Sequence, residues 1–163
     1  MSVTSKKWWW GVLLLLFVVF AGWALANGLG GPPADGNQAN AAMKVVLYKS
    51  PTCGCCGNYV GYLKSKKYDI EIKNVDDINT VKAEYSIPAG LSSCHTSVIG
   101  DYVVEGHVPI EAIDKLLTEK PDILGIALAG MPAGSPGMPG QKTDVFTIYS
   151  IAKDGSSQVF MEL

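Results

Sequence analysis

Three of the four cysteines of this chain lie within four residues, in the segment Cys53-Gly54-Cys55-Cys56. The break at Ser50-Pro51-Thr52 and the apolar residues that follow at helical spacing predict a helix from about Cys55 to Lys67. Thiols at the start of a helix face free N–H groups and the positive end of the helix dipole, which lowers their pKa and favours nucleophilic attack and metal ligation. The segment therefore combines a C-x-x-C pattern, typical of thiol–disulfide exchange, with a third thiol that suits a thiophilic metal ion or several ions bridged by thiolates.

Two other segments contain ligands for soft metals. Cys94-His95 stands just before a predicted strand, and a Gly/Pro-rich loop at residues 130–140 contains Met131 and Met138. Thioethers select Cu(I), and unlike thiols they need no deprotonation. Acidic residues are not clustered in these segments, which argues against Ca²⁺ or Mg²⁺. His107 is interpreted as a strand-end residue that caps or hydrogen-bonds.

The elements around these residues predict an α/β domain over residues 43–120. Hydrophobic periodicity and turn signals give the order strand, helix, strand, helix, hairpin, helix, with the hairpin turning at Gly100-Asp101 and the last helix opening at Pro109. This is the order of a thioredoxin-like domain. In that fold the loop before the hairpin faces the C-x-x-C motif, so we expect Cys94 and His95 to approach Cys53 and Cys56.

Residues 121–163 are predicted to form a C-terminal β-rich extension packed on this domain, because they are too few to fold alone. The methionine-containing loop comes first. Two β-rich runs follow, Val145–Ile151 and Gln158–Leu163, joined by a hairpin turn at residues 153–156.

The N-terminus predicts export. Lys6-Lys7 precedes an uncharged apolar run from Trp8 to Ala26, which matches a signal peptide cut after Ala26 or an uncleaved membrane anchor. Both interpretations leave the remainder outside the cytoplasm, in the periplasm, and contact with a membrane is expected only through residues 8–26 if they are retained. Residues 27–42 are rich in Gly, Pro, Asn and Ala and predict a flexible linker.

The overall composition argues against nucleic-acid binding. The 163 residues include 13 lysines and no arginine, the net charge is −2, and no lysine run exceeds two residues. A nucleic-acid-binding protein would need a basic patch.

Residues 44–163 resemble the CopG-type family of periplasmic copper-resistance proteins, which is recognised by a CxCC motif on a thioredoxin-like domain with a metal-contacting C-terminal extension. The segments YKSPTCGCCGNY (48–59), SCHTSVIGDYVVEGHVP (93–109) and GMPAGSPGMPG (130–140) carry this resemblance. It implies a link to copper tolerance and cycling between Cu(I) and Cu(II). The ligands that it implies for copper are Cys53, Cys55, Cys56, Cys94, His95, Met131 and Met138.

The sequence thus predicts an exported copper-binding protein that acts as a buffer or redox handler, with a copper efflux or chaperone protein as a partner. Three alternatives stay open: a thioredoxin-like thiol–disulfide oxidoreductase using Cys53 and Cys56, a structural zinc module, and two structural disulfides. The third clustered thiol argues against the first and the third. The number of copper ions, their oxidation state, any turnover and the oligomeric state are left open.

Overall fold

The computed structural model describes residues 43–163. The predicted signal peptide or anchor (1–26) and the predicted linker (27–42) lie outside these residues. Within residues 43–163, no helix combines the length and the apolar character needed to cross a membrane. The described part is a mixed α/β unit, built from one seven-stranded sheet and three α-helices.

The first four elements follow the predicted order. They are β1 (Lys44–Lys49), α1 (Gly54–Ser65), β2 (Asp69–Asn74) and α2 (Ile78–Glu84). β1 and β2 are parallel, with α1 as the crossover between them. Asp77 caps α2 as expected, because its carboxylate accepts a hydrogen bond from the Asn79 N–H at 2.9 Å.

The predicted hairpin and the helix after it are also present. β3 (His95–Ile99) and β4 (Tyr102–Glu105) are antiparallel and turn at Gly100, whose φ of +60° suits glycine. α3 (Ile110–Glu119) begins directly after Pro109. β3 starts one residue earlier than the predicted strand, so His95 is a strand residue with a defined side-chain direction.

Three strands follow α3, and the sequence analysis predicted two of them. β5 (Gly125–Ala127) was not predicted, whereas β6 (Thr147–Ile151) and β7 (Ser157–Glu162) form the predicted hairpin. β5 pairs in parallel with β4 and antiparallel with β6, so the C-terminal strands continue the same sheet. A Cβ at position 125 would overlap the Val103 carbonyl oxygen, which explains the glycine there.

The sheet has the strand order β2-β1-β3-β4-β5-β6-β7 and packs apolar side chains on both faces. The larger cluster joins the sheet to α1 and α3, and the smaller one lies on the opposite face, next to residues that follow α2. Successive strand residues point to opposite faces. His95 therefore faces α1, where its ring contacts Tyr59, and Thr96 faces α2, where Lys82 contacts it.

Candidate metal centre

The CxCC segment lies at the start of α1, where the chain turns after β1. The Cys53 N–H donates to the Ser50 carbonyl at 3.1 Å, and Cys53 is the N-cap of α1. One helical turn separates Cys53 from Cys56, with Cα atoms 5.5 Å apart and their sulfurs joined in a disulfide. Cys55 keeps a free, half-buried thiol. A metal ion would therefore meet all three sulfurs as thiolates only after this disulfide is reduced.

Cys94 lies opposite this segment, just before β3. Its Sγ is 3.8 Å from Cys55 Sγ and 3.6 Å from Cys56 Sγ. Cys53 Sγ is 3.6 Å from Cys55 Sγ, so the four sulfurs form a closed ring. The structure thus brings together all four cysteines, although 38 positions separate Cys56 from Cys94.

Two buried imidazoles lie on the other side of Cys94. His95 Nδ1 is 3.3 Å and His107 Nε2 is 3.1 Å from Cys94 Sγ. The two rings meet edge to face, with centroids 4.8 Å apart. His107 also hydrogen-bonds to a backbone carbonyl, as its interpretation as a strand-end residue expected. That interpretation was incomplete, because the same ring faces Cys94.

The donor atoms form two groups that share Cys94. The first group contains the four cysteine sulfurs, and the second contains Cys94, His95 and His107; within each group the donor atoms lie within 4.8 Å of one another. Among residues 43–163, neither group includes a carboxylate. Thiolates and imidazoles suit copper and zinc, whereas Mg²⁺ and Ca²⁺ select oxygen. The donor set therefore fits a soft or borderline metal ion.

The surroundings of the centre favour the neutral forms of the Cys94 thiol and of the two imidazoles. Burial, together with the neighbouring Cys55 thiol, raises the pKa of Cys94 to about 12. Burial, with His107 and Lys82 nearby, lowers the pKa of His95 to about 3, and burial also lowers the pKa of His107. A metal ion that binds Cys94 must displace its proton, whereas the two imidazoles are already deprotonated at neutral pH.

One nitrogen in this centre is buried without a partner. His95 Nε2 is inaccessible to solvent and has no hydrogen-bond partner among the described residues. Buried polar atoms are normally paired, because burial without a partner costs the desolvation of the group. The nitrogen of His95 that contacts Cys94 Sγ is the other one, Nδ1, so the ring meets the centre through Nδ1 and leaves Nε2 without a partner.

Tyr59 connects the helix to both histidines. Its ring centroid is 4.7 Å from that of His95 and 5.4 Å from that of His107. Its hydroxyl donates to the Val108 carbonyl at 2.9 Å, and the whole side chain is buried. The orientation of the two imidazoles is therefore restricted by a side chain of the same helix that carries the CxCC segment.

A buried ionic network lies behind the centre, on the α2 face of the sheet. Glu105 is fully buried and pairs with Lys82, which is also buried. The Glu105 carboxylate also accepts from the Ser93 N–H at 2.6 Å and from the Thr96 hydroxyl at 2.6 Å. These bonds hold the residues on either side of Cys94-His95. The sequence analysis did not identify this network.

The methionine-containing loop contacts the centre through its backbone. The Pro136 carbonyl accepts from His107 Nδ1 at 2.7 Å, and the Gly137 carbonyl accepts from the Asn58 side chain at 3.2 Å. Of the two methionines, Met131 is 53% exposed and Met138 is partly buried. Ligation by their thioethers remains a prediction.

Comparison with known proteins gives a family model and two solved structures. Residues 91–138, which contain Cys94 and both histidines, match the family model described as "Protein of unknown function, DUF411". The structure "Copper resistance protein copG- Form 2" is 33% identical, with a TM-score of 0.71, and the match covers 76% of this chain and 99% of that chain. "Copper resistance protein copG- Form 1" is 33% identical over 76% of this chain and 98% of that chain, with a TM-score of 0.70. Among curated proteins, none matches the chain.

The chain belongs to the CopG family of copper-resistance proteins. This membership agrees with the resemblance given by the CxCC segment, the Cys94-His95 pair and the methionine-containing loop.

In this CopG family member, His107 is the candidate metal-ligating side chain that the sequence analysis did not include among the ligands, although the sequence contained a signal for it. In the β3–β4 hairpin, Thr96 pairs with Glu105. Two further steps in the same register set Cys94 opposite His107. Extending the predicted hairpin past its last strand residue would therefore have placed this imidazole beside Cys94.

Proposed function

We propose that this chain binds copper at the centre formed by the CxCC segment and the start of β3, and contributes to copper resistance as a buffer or redox handler. The observation that carries the proposal is the presence of two donor groups, one of sulfurs and one of sulfur with imidazoles, that share Cys94. The two similar structures are of proteins named for copper resistance, which supports copper as the metal. The proposed ligands are Cys53, Cys55, Cys56, Cys94, His95 and His107, with Met131 and Met138 as further thioether ligands.

The two donor groups also suggest more than one bound ion. Thiolates readily bridge Cu(I) ions, and a sulfur shared between the groups is placed for such bridging. Imidazole ligands are compatible with Cu(II) as well, so the second group could hold copper in either oxidation state. Copper is the cargo of this centre, with a copper efflux or chaperone protein as the proposed recipient.

The architecture proposed to carry the centre is a thioredoxin-like domain at residues 43–120, with residues 121–163 as its extension. Its support is the order β1-α1-β2-α2-β3-β4-α3 and the parallel pairing of β1 with β2. The proposed location is the periplasm.

Titration of the full, reduced chain with Cu(I) against a chromophoric Cu(I) chelator tests this proposal. We expect more than one equivalent to bind, and we expect Cys55→Ser to lower both the affinity and the number of ions. A chain that leaves all Cu(I) with the chelator would contradict the proposal. Bound zinc that survives excess Cu(I) would favour a structural zinc site instead.

Thiol–disulfide exchange is the second candidate, favoured by the Cys53–Cys56 disulfide at the start of α1. The Cys55→Ser variant separates the two functions, because it keeps the C-x-x-C pair and removes a central metal ligand. If exchange is the function, this variant should still reduce insulin disulfides at the rate of the unmodified chain. If copper binding is the function, it should lose copper while any insulin reduction stays weak in both chains.

A further inference from the structure

Residues 130–138, which we call the strap, meet the centre at an atom that is not a sulfur. The Pro136 carbonyl oxygen lies 2.7 Å from His107 Nδ1. A carbonyl oxygen can only accept a hydrogen bond, so Nδ1 must carry the proton. The neutral ring then has its lone pair on Nε2, the nitrogen that lies 3.1 Å from Cys94 Sγ. The strap thus determines which nitrogen of His107 has a free lone pair with which to bind a metal ion.

The strap is held in place at both ends. At its first residue, the Gly130 N–H donates to the Ser92 carbonyl at 3.1 Å, and the Ser93 hydroxyl donates to the Gly130 carbonyl. Near its last residue, the Asn58 side chain donates to the Gly137 carbonyl at 3.2 Å. One end is therefore fixed to the loop that carries Cys94, and the other to the helix that carries the CxCC segment.

Gly137 allows the close approach between the strap and α1. It has a φ of +82°, and a Cβ there would lie 2.6 Å from the Tyr59 nitrogen and 2.9 Å from the Tyr59 Cα. Both atoms belong to helix backbone and cannot yield easily. A side chain at position 137 would therefore displace the strap and lengthen the adjacent bond between Pro136 and His107.

We propose that the strap is a positioning element that fixes the His107 tautomer through the Pro136 carbonyl and so presents Nε2 to the metal. The proposal rests on the copper-binding function above and assigns a role to the strap that does not depend on its methionine sulfurs. Hydrogen bonds of this kind, from the second nitrogen of a ligand histidine, orient the ring and raise the basicity of the ligand.

Nitrogen NMR of the metal-free, reduced full chain tests the tautomer directly, with Gly137→Ala as the variant. The two ring nitrogens of His107 have distinct ¹⁵N shifts, according to which one carries the proton. We expect the unmodified chain to show the Nδ1–H form and Gly137→Ala to show a mixture that includes Nε2–H. Cu(I) affinity, measured against a chromophoric chelator, should fall about 10- to 100-fold in the variant.

Gly155→Ala is the matched control. Gly155 has the same φ of +82°, but a Cβ there meets nothing within 4 Å, and it lies in the β6–β7 turn. It reproduces the backbone strain of alanine at positive φ without displacing the strap, so both the ring shifts and the copper affinity should stay unchanged. Asn58→Ala is a milder second variant, expected to change the tautomer in the same direction by less.

The outcomes separate this proposal from the copper-binding function. If the His107 ring keeps the Nδ1–H form and the copper affinity is unchanged in both Gly137→Ala and Asn58→Ala, the strap has no positioning role. A double variant, Met131→Leu with Met138→Leu, should keep the Nδ1–H form, and a change there would overturn the assignment to the Pro136 carbonyl. Failure of the unmodified chain to bind Cu(I), with the tautomer as expected, would instead contradict the copper-binding function.

Discussion

The two sides of the candidate metal centre are built in different ways. The helix side, Cys53, Cys55 and Cys56, comes from one turn of chain and contains a disulfide; Cys53 and Cys55 are half-buried and Cys56 is buried. The hairpin side consists of Cys94, His95 and His107, and both imidazoles are fully buried. Hydrogen bonds accepted by the Glu105 carboxylate and the Pro136 carbonyl position the hairpin side, and each links residues distant in sequence.

The difference suggests a division of roles between the two sides. Adjacent thiols on an accessible helix start can change their redox state and their partners, which suits the capture and release of soft ions. The buried imidazoles pack against Tyr59, and movement of His107 would break its hydrogen bond to Pro136 and leave a buried polar group unpaired. The hairpin side thus provides fixed geometry, and the helix side provides the variable chemistry. Substitutions that affect one side at a time test this division.

The largest effect is expected from Lys82→Met, which removes the cation behind the hairpin side. Glu105 would then be a buried carboxylate without a counter-charge, and breaking a buried pair in this way typically costs about 3–5 kcal/mol. Urea unfolding of the metal-free, reduced chain measures the loss. The double variant Lys82→Met with Glu105→Leu is the control, and it should recover much of the stability because it leaves no unpaired charge. A loss below about 1 kcal/mol would mean that the network does not support the hairpin side.

A second prediction compares one cysteine from each side. Cys94 belongs to both donor groups, so Cys94→Ser should lower Cu(I) affinity by more than the roughly 10- to 100-fold typical of a residue that only supports a ligand. Cys53→Ser should cost less, because it removes a ligand from the sulfur group alone. Competition titrations of both reduced variants give the comparison. A larger loss in Cys53→Ser would show that the helix side holds the metal without the hairpin side.

The third prediction concerns the stability of the metal-free chain in acid, where the change in the free energy of unfolding for each pH unit is the smallest of the three effects. Burial holds the pKa of His95 at about 3 in the folded chain, against about 6.5 when unfolded. Between about pH 6.5 and about pH 3, the His95 imidazole is therefore protonated in the unfolded chain and neutral in the folded chain. The free energy of unfolding should fall across this window by about 1.4 kcal/mol per pH unit from His95, with no such contribution above it.

His95→Gln provides the control for this pH dependence, because glutamine does not titrate. Urea midpoints measured from pH 7.5 to pH 4.5 should fall less steeply in this variant than in the unmodified chain. Equal slopes would mean that the buried imidazole does not determine the acid sensitivity of the hairpin side.

Local patterns made most of the helix side predictable from the sequence. The turn before Cys53 and the apolar spacing of α1 each act over a few residues, so they could be inferred without knowledge of the fold, as could the Asp77 cap of α2. The β3–β4 hairpin was predictable for the same reason, and its register also contained the position of His107.

The contacts that support the hairpin side are ones that no local pattern reveals. A single glutamate at the end of a strand does not identify a lysine 23 positions earlier as its buried partner. β5 is only three residues long, which is too short for an alternating pattern to indicate a strand. It pairs with β4 on one side and with β6 on the other, and these pairings stabilise it. The contact between Pro136 and His107 joins residues 29 positions apart, and no local pattern in the sequence predicts it.

The order of these elements along the chain has a consequence for maturation. The three thiols of the helix side are complete by residue 56, whereas Cys94, His95 and His107 follow about 40 to 50 positions later and meet them only through the pairing of β1 with β3 and of β3 with β4. Pairings between distant segments form late, because loop closure must precede the contacts that reward it. A chain that emerges N-terminus first therefore presents three reactive sulfurs before Cys94 and the two imidazoles that complete the donor groups. The interval between those two events is when stray oxidants and competing ions have their best access to this protein.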